Sequence, residues 1–268
     1  MFANARMYSL NAALGRAWRG LLQWVLARAG LDAEVIDYPA PQPLPALWAR
    51  PDMACAFMCG YPLARARPMP VVLAAPQPSP ARYAGLPRYC TDLVVRSDAG
   101  IATLADAWGR RMAFTTPDSM SGYQGPRRFL APHAAAHGSR LFASNIGPLV
   151  TPRAVVDAVL SGAADIGPLD SYALDLLRLH EPDLVAPLTV IATTAFAPIP
   201  PLVGAPGLDA VVAERLRSAL LDVEAAPELA ALRATLLLRG FARISATEYH
   251  ANIVAAEEAD ALAYPQLI

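Results

Sequence analysis

Between Thr115 and Phe129 the chain reads Thr-Thr-Pro-Asp-Ser-Met-Ser-Gly-Tyr-Gln-Gly-Pro-Arg-Arg-Phe, and these residue types at this spacing suit the binding of an anion. Asp118, Ser119 and Ser121 are residue types that cap helix starts, and Gly122 lets backbone approach a ligand closely. The first N–H groups of a helix have no partner inside it, and the aligned peptide dipoles place partial positive charge there. Two hydroxyls and several amides converging on one point hold a phosphate-like group without a full positive charge nearby. An ordinary capped helix needs only one of these residues, and the local pattern leaves both readings open.

The elements around this stretch position it as a strand-to-helix turn. The short run Arg111 to Phe114 reads as a buried strand, and Gly125 and Pro126 fall where the first turns of a helix begin. Upstream, Ala5 to Leu10 reads as a strand, Asn11 to Ala29 as an amphipathic helix, and Glu34 to Tyr38 and Met53 to Met58 as further strands. Strands are also expected at Met69 to Ala75 and Tyr89 to Arg96, on either side of a proline-dense loop from Pro76 to Pro87. Downstream, Thr151 and Pro152 form an N-cap and first-turn pair for a helix through Leu160, and Ala164 to Leu169 is the next strand. This alternation predicts α/β sheets covered by helices, with ligands at the carboxyl ends of strands. Tyr8, the Cys59-Gly60-Tyr61 turn and Asp170 all fall at such ends. The two tyrosines either present hydroxyls to a ligand or pack half-buried. Asp170 either faces a ligand or caps the helix that begins at Ser171.

The Asp118-Ser119-Met120-Ser121-Gly122-Tyr123 motif, with Pro126 shortly after, resembles that of the phosphonate- and phosphate-type substrate-binding proteins of ABC transporters. Val155 to Asp170 is similar to the same family's stretch of helix, turn, Ala-Asp-Ile and strand, and Leu236 to Phe241 ahead of Tyr249 to its C-terminal helices. The resemblance implies a type II periplasmic-binding-protein fold of two lobes, each a mainly parallel sheet flanked by helices. Residues 1–94 and 193–268 would form one lobe and 95–192 the other, with hinge crossings near Leu93 to Ser97 and Ile191 to Ala195. It further implies capture of a small oxyanion in an interlobe cleft by Tyr8, Tyr61, Ser119, the Met120 amide, Ser121, Gly122 and Asp170. The ligand would pass to an ABC permease and its ATPase, with the binding protein a monomer that needs no cofactor and performs no catalysis. The sequence departs from the family where some members carry a histidine, since Pro152 stands there between Thr151 and Arg153. An enzyme or a ligand sensor on the same two-lobed fold is the alternative.

Composition excludes other classes. Of 268 residues 55% are hydrophobic and the net charge is only -1, so no basic field points to nucleic acid. The start, Met1 to Tyr8, lacks the basic stretch and apolar run of a secretory signal, which places the protein in the periplasm if an upstream segment has been trimmed and in the cytoplasm otherwise. The three cysteines, Cys55, Cys59 and Cys90, lack the second ligand pair of a zinc site and read as buried thiols. His133 and His137 stand four apart with no carboxylate to complete a metal site, and neither serine lies in a nucleophile elbow. Arg127 and Arg128 either add positive potential behind the serine helix or form a solvated face.

Overall fold

The structure, a computed structural model, describes every residue except Ser139. Its strands in chain order are β1 (Phe2–Asn4), β2 (Glu34–Val35), β3 (Met53–Phe57), β4 (Val71–Pro78), β5 (Arg88–Tyr89), β6 (Thr91–Arg96) and β7 (Arg111–Ala113). After them come β8 (Ser144–Ile146), β9 (Ile166–Asp170), β10 (Leu188–Thr193), β11 (Ala197–Pro198), β12 (Leu202–Gly204) and β13 (Leu238–Ala242). The helices are α1 (Ala12–Arg28), α2 (Leu44–Trp48), α3 (Gly60–Arg65), α4 (Gly125–His137), α5 (Pro152–Leu160), α6 (Ser171–His180) and α7 (Pro182–Val185). The last three are α8 (Ala210–Asp222), α9 (Ala230–Thr235) and α10 (His250–Ala261). Among the described residues no helix is long and apolar enough to cross a membrane.

The chain divides into two compact units, one of Met1–Arg88 with Pro198–Tyr249 and one of Tyr89–Ala197 with His250–Ile268. This differs from the division expected at 94/95 and 192/193. The physical reason is that β6 and β10 pair with each other over most of their length, so both belong to the sheet of the second unit and neither is a free crossing. The expectation that the whole C-terminal third returns to the first unit is corrected as well, because α10 and the tail behind it lie in the second.

In the first unit the sheet order is β13-β4-β12-β3-β1-β2. β1 runs parallel to β2 and β3, whereas β12 and β13 run antiparallel to their neighbours. The sheet is therefore mixed rather than mainly parallel. Asn11 accepts a hydrogen bond from the Leu14 amide and caps α1, which buries Leu14, Trp18, Leu21, Leu22 and Val25. The first strand stops earlier than the apolar pattern suggests. Asn4 turns the chain by accepting from the Arg6 amide and donating to the Ile36 carbonyl, so Arg6–Tyr8 forms a single 3-10 turn. β13 corrects another expectation: Leu238–Ala242 is a strand on β4, where helices were expected.

In the second unit the order is β10-β6-β9-β7-β8, with β7 parallel to β8 and β9, and β6 antiparallel to β9 and β10. Leu93, Val95, Met112, Ile166, Leu130 and Phe142 are buried in one core, and Ala259, Tyr264 and Leu267 from the C-terminal segment pack into it. Arg127 fixes that segment. Its side chain is only 5% exposed, and its guanidinium donates to the carbonyls of Ala256 (2.8 Å) and Pro265 (3.0 Å), to Asp260 (2.6 Å) and to the Gln124 amide oxygen (3.1 Å). Arg128, half-exposed, pairs with Glu258. Arg127 is thus a buried clamp, not part of a solvated face. Replacing it by methionine strands several acceptors without a donor, so Arg127→Met is expected to lower stability by roughly 3 kcal/mol or more in urea unfolding, while Arg128→Met stays within about 1 kcal/mol.

Candidate functional site

β7 ends at Ala113, and the chain continues through Thr115 into a helical segment that starts at Met120. The first turn is a π turn: the Gln124 amide donates to the Ser119 carbonyl at 2.9 Å, five residues back, and the Gly125 amide reaches the Met120 carbonyl in the same way. A π turn is wider than an α turn and is frequently found at functional sites. Ser119 is its N-cap, and its hydroxyl oxygen accepts from the Gly122 amide at 2.9 Å. The Ser121 carbonyl accepts from the buried Thr91 hydroxyl at 3.0 Å, while the Ser121 side chain is partly exposed. Ser119, Met120, Ser121 and Gly122 are thus brought together in one turn.

Gly122 is required by packing. A Cβ built there would lie 1.8 Å from Thr115 Oγ1, 2.9 Å from Thr115 Cβ and 3.0 Å from Ser119 Oγ. The loop before the turn is tied down by Gln124, whose amide nitrogen donates to the Pro117 carbonyl at 2.7 Å while its oxygen accepts from Arg127. Tyr123, the aromatic residue of the motif, points into the core. Its ring meets Phe114 edge-on at 5.4 Å, and its hydroxyl accepts from the Leu267 amide. Thr91, Thr115, Gln124 and Arg127 all shape this turn. Sequence reasoning passed over the first three, for which the only local signal is the hydroxyl of Thr115 at the strand end before the motif.

Two more helix starts belong to the same sheet. Thr151 caps α5 by accepting from the Ala154 amide at 3.1 Å, with Pro152 as its first residue. That start is tied to the serine turn, since the Val150 amide donates to the Thr115 carbonyl at 3.0 Å. Arg153 holds Glu181 at 2.6 Å and Asp157 at 3.3 Å. Partial burial opposes its charge, but the hydrogen bonds to Glu181 and Asp157 prevail and hold its pKa above the usual arginine value. Asp170 caps α6, its Oδ1 accepting from the Tyr172 amide at 2.9 Å and the Ala173 amide at 3.0 Å. It sits opposite Thr91 in the β6–β9 ladder. Burial, and secondarily the Asp170 carboxylate, pushes the Tyr172 phenol well above its ordinary pKa.

The remaining expected site residues lie in the first unit. Tyr8 does not stand at a strand end. It sits in the 3-10 turn, 1% exposed, with its ring edge-on to Phe57 at 5.1 Å and near Trp18 at 6.5 Å. Its ring thus packs as a core aromatic, and the expected placement at a strand end is corrected. Tyr61 is in the first turn of α3, partly buried, with the Arg65 guanidinium 5.3 Å from its ring centroid. Beside the serine turn, in the second unit, lies a cavity of about 270 Å³ whose wall includes Ser121, Thr91, Met120, Arg128 and Phe129. Among the described residues no cluster of His, Cys, Asp or Glu is placed to hold a metal ion; His133 and His137 flank the Trp108 ring.

The cap role of Asp170 has a measurable consequence. Asp170→Ala removes the acceptor for two amides at the start of α6 and is expected to cost roughly 1 kcal/mol in urea unfolding. Asp170→Asn keeps a capping oxygen and is expected to cost much less.

A family model described as ABC transporter, phosphonate, periplasmic substrate-binding protein matches residues 47–249. Among solved structures, PhnD1 from Prochlorococcus marinus in complex with methylphosphonate is similar with a TM-score of 0.80 and 16% identity, over 97% of this chain and 98% of that one. A binding-protein component of an ABC phosphonate transporter from Pseudomonas aeruginosa is similar with a TM-score of 0.72 and 19% identity, over 98% and 96%. A Xanthomonas citri protein bound to ATP is similar with a TM-score of 0.64 and 18% identity, over 98% of both chains. At such identities the likeness speaks to the fold, which is that of the two-lobed periplasmic binding proteins. No curated protein matches the chain. The family match covers most of the sequence, and its members are binding components of transporters, not enzymes: the chain belongs to the phosphonate family of periplasmic substrate-binding proteins of ABC transporters.

Proposed function

We propose that this chain binds a small tetrahedral oxyanion of the phosphonate or phosphate type at the serine turn, for delivery to an ABC permease and its ATPase. The observation that carries the reading is the wide helix start at Ser119–Gly122, where hydroxyls and amides gather at the carboxyl end of β7. The helix start supplies partial positive charge, and the Ser121 hydroxyl supplies a neutral donor on a partly exposed side chain. Of the nearby guanidiniums, Arg127 is committed to the C-terminal segment and Arg153 to two carboxylates, while Arg128, on the cavity wall, is half-exposed and pairs with Glu258. Binding at this turn therefore draws on hydrogen-bond geometry and the helix start, with the Arg128 charge on the cavity wall shared with Glu258.

The other two helix starts of the sheet are less suited to an anion. Asp170 places a carboxylate on the α6 amides, and that negative charge opposes a second one nearby. Thr151 spends its side-chain acceptor on Ala154, and its first helical residue is a proline with no N–H to give. The fold relatives named with methylphosphonate and with ATP both carry ligands bearing phosphorus-bound oxygens, which supports this ligand class. The family's periplasmic description supports a site of action outside the cytoplasmic membrane.

Titration calorimetry of the purified chain with methylphosphonate, inorganic phosphate, ATP and sulfate tests the reading. At least one phosphorus oxyanion is expected to bind, and Ser121→Ala is expected to weaken it by about 10- to 150-fold, the equivalent of losing a hydrogen bond of roughly 1.5 to 3 kcal/mol to a charged group. Unchanged affinity in Ser121→Ala would place the anion elsewhere.

A further inference from the structure

Thr115 carries a polar group that the fold leaves unused. The residue is 6% exposed, and its hydroxyl oxygen is fully buried with no hydrogen-bond partner. A buried hydroxyl in this state destabilises the fold, and a valine of the same shape would avoid that cost. The hydroxyl is also not randomly placed. It fills the space left by the missing side chain of Gly122, 1.8 Å from where a Cβ would be, and the Ser119 oxygen lies 3.0 Å from the same point. The Thr115 backbone is held on both sides, its amide donating to the Gly122 carbonyl at 3.4 Å and its carbonyl accepting from the Val150 amide at 3.0 Å. So an unsatisfied hydroxyl is fixed inside the turn, next to the serine that caps it.

From this we infer that Thr115 is a positioning residue of the oxyanion site, acting through Ser119; the inference rests on the binding of an oxyanion at this turn. A serine hydroxyl has one proton to give and two lone pairs to accept with. Ser119 Oγ already accepts from the Gly122 amide. When an oxyanion takes the Ser119 proton as a hydrogen bond, the second lone pair accepts from the Thr115 hydroxyl, which thereby gains its partner. Thr115 Oγ1 is sealed from the surface and does not touch the ligand. Its effect is to fix the Ser119 rotamer that aims the proton outward and to strengthen that donor through a chain of hydrogen bonds. Satisfying the buried hydroxyl only in the bound state also makes binding more favourable than the contacts to the ligand alone would make it.

Thr115→Val and Thr115→Ser separate this role from simple packing. Thr115→Val is expected to leave the thermal midpoint of the ligand-free chain unchanged or raised, yet to weaken methylphosphonate or phosphate binding in calorimetry by about tenfold. Thr115→Ser, which restores the hydroxyl, is expected to recover most of that affinity. In a Ser119→Ala background Thr115→Val is expected to have no further effect on affinity, because the two residues act as one unit. Unchanged affinity in Thr115→Val, equal loss in Thr115→Val and Thr115→Ser, or additive loss in the double variant would each overturn the inference. Were Ser121→Ala to weaken binding while Thr115→Val did not, only the role of Thr115 would fall. If the unaltered chain bound none of the phosphorus oxyanions, the site and this role would fall together.

Discussion

The serine turn depends on one buried guanidinium. Arg127 sits two residues into α4 and offers its donors in a planar fork, which the protein meets with carbonyls of the C-terminal segment, the Asp260 carboxylate and the Gln124 amide oxygen. Because a buried cation without acceptors is far more costly than a paired one, the C-terminal segment has to close over this helix. The other end of the same chain of bonds is Gln124, whose amide nitrogen holds the Pro117 carbonyl. A contact made by the last twenty residues of the chain thus reaches the loop that leads into the serine turn. It also explains why the final helix belongs to the second unit although the strand before it, β13, belongs to the first.

Parts of the fold that rest on local chemistry are legible in the sequence. The caps at Ser119, Thr151 and Asp170 follow from residue type and position, since a cap needs only a side-chain oxygen within three residues of the amide it accepts from. Parts that rest on distant partners are not legible. Asn4 ends β1 by reaching Ile36, thirty-two residues away, so an apolar pattern that continues to Leu10 misplaces Tyr8. Leu236 to Phe241 is an apolar run too short to tell strand from helix, and it becomes a strand only because β4 offers an edge. β4 itself extends through Pro76 and Pro78, residues that read as loop because they give no ladder donor, yet each still aligns with a residue of β13.

The site shows the same split. The Asp-Ser-Met-Ser-Gly order marks the turn, but nothing near it in sequence announces that Thr91 would hold the Ser121 carbonyl from a strand thirty residues earlier. Nor does it announce that Arg127, which looks like an added positive charge, is spent on structure. Sequence readily suggests which residues are able to bind an anion. Which of them are left available is decided by tertiary contacts, and here those contacts commit Arg127 to the C-terminal segment and Arg153 to two carboxylates.

Where the resemblance places a histidine in some relatives, this chain has Pro152, and the physical consequence runs through charge. A histidine at a helix start offers a ring N–H, and a positive charge when protonated; a proline offers neither, and it removes one backbone donor as well. Arg153, one residue on, is drawn away by Glu181 and Asp157. The serine turn itself offers neutral donors at a helix start equivalent to about half a positive charge, and Arg128 on the cavity wall shares its charge with Glu258. Such a set compensates a singly charged oxyanion better than a doubly charged one, because each further unit of charge has to be stripped of water without a matching cation. For the oxyanion proposed to bind at this turn, selectivity would then follow the shape of the tetrahedral group and its ionisation state as well as any salt bridge.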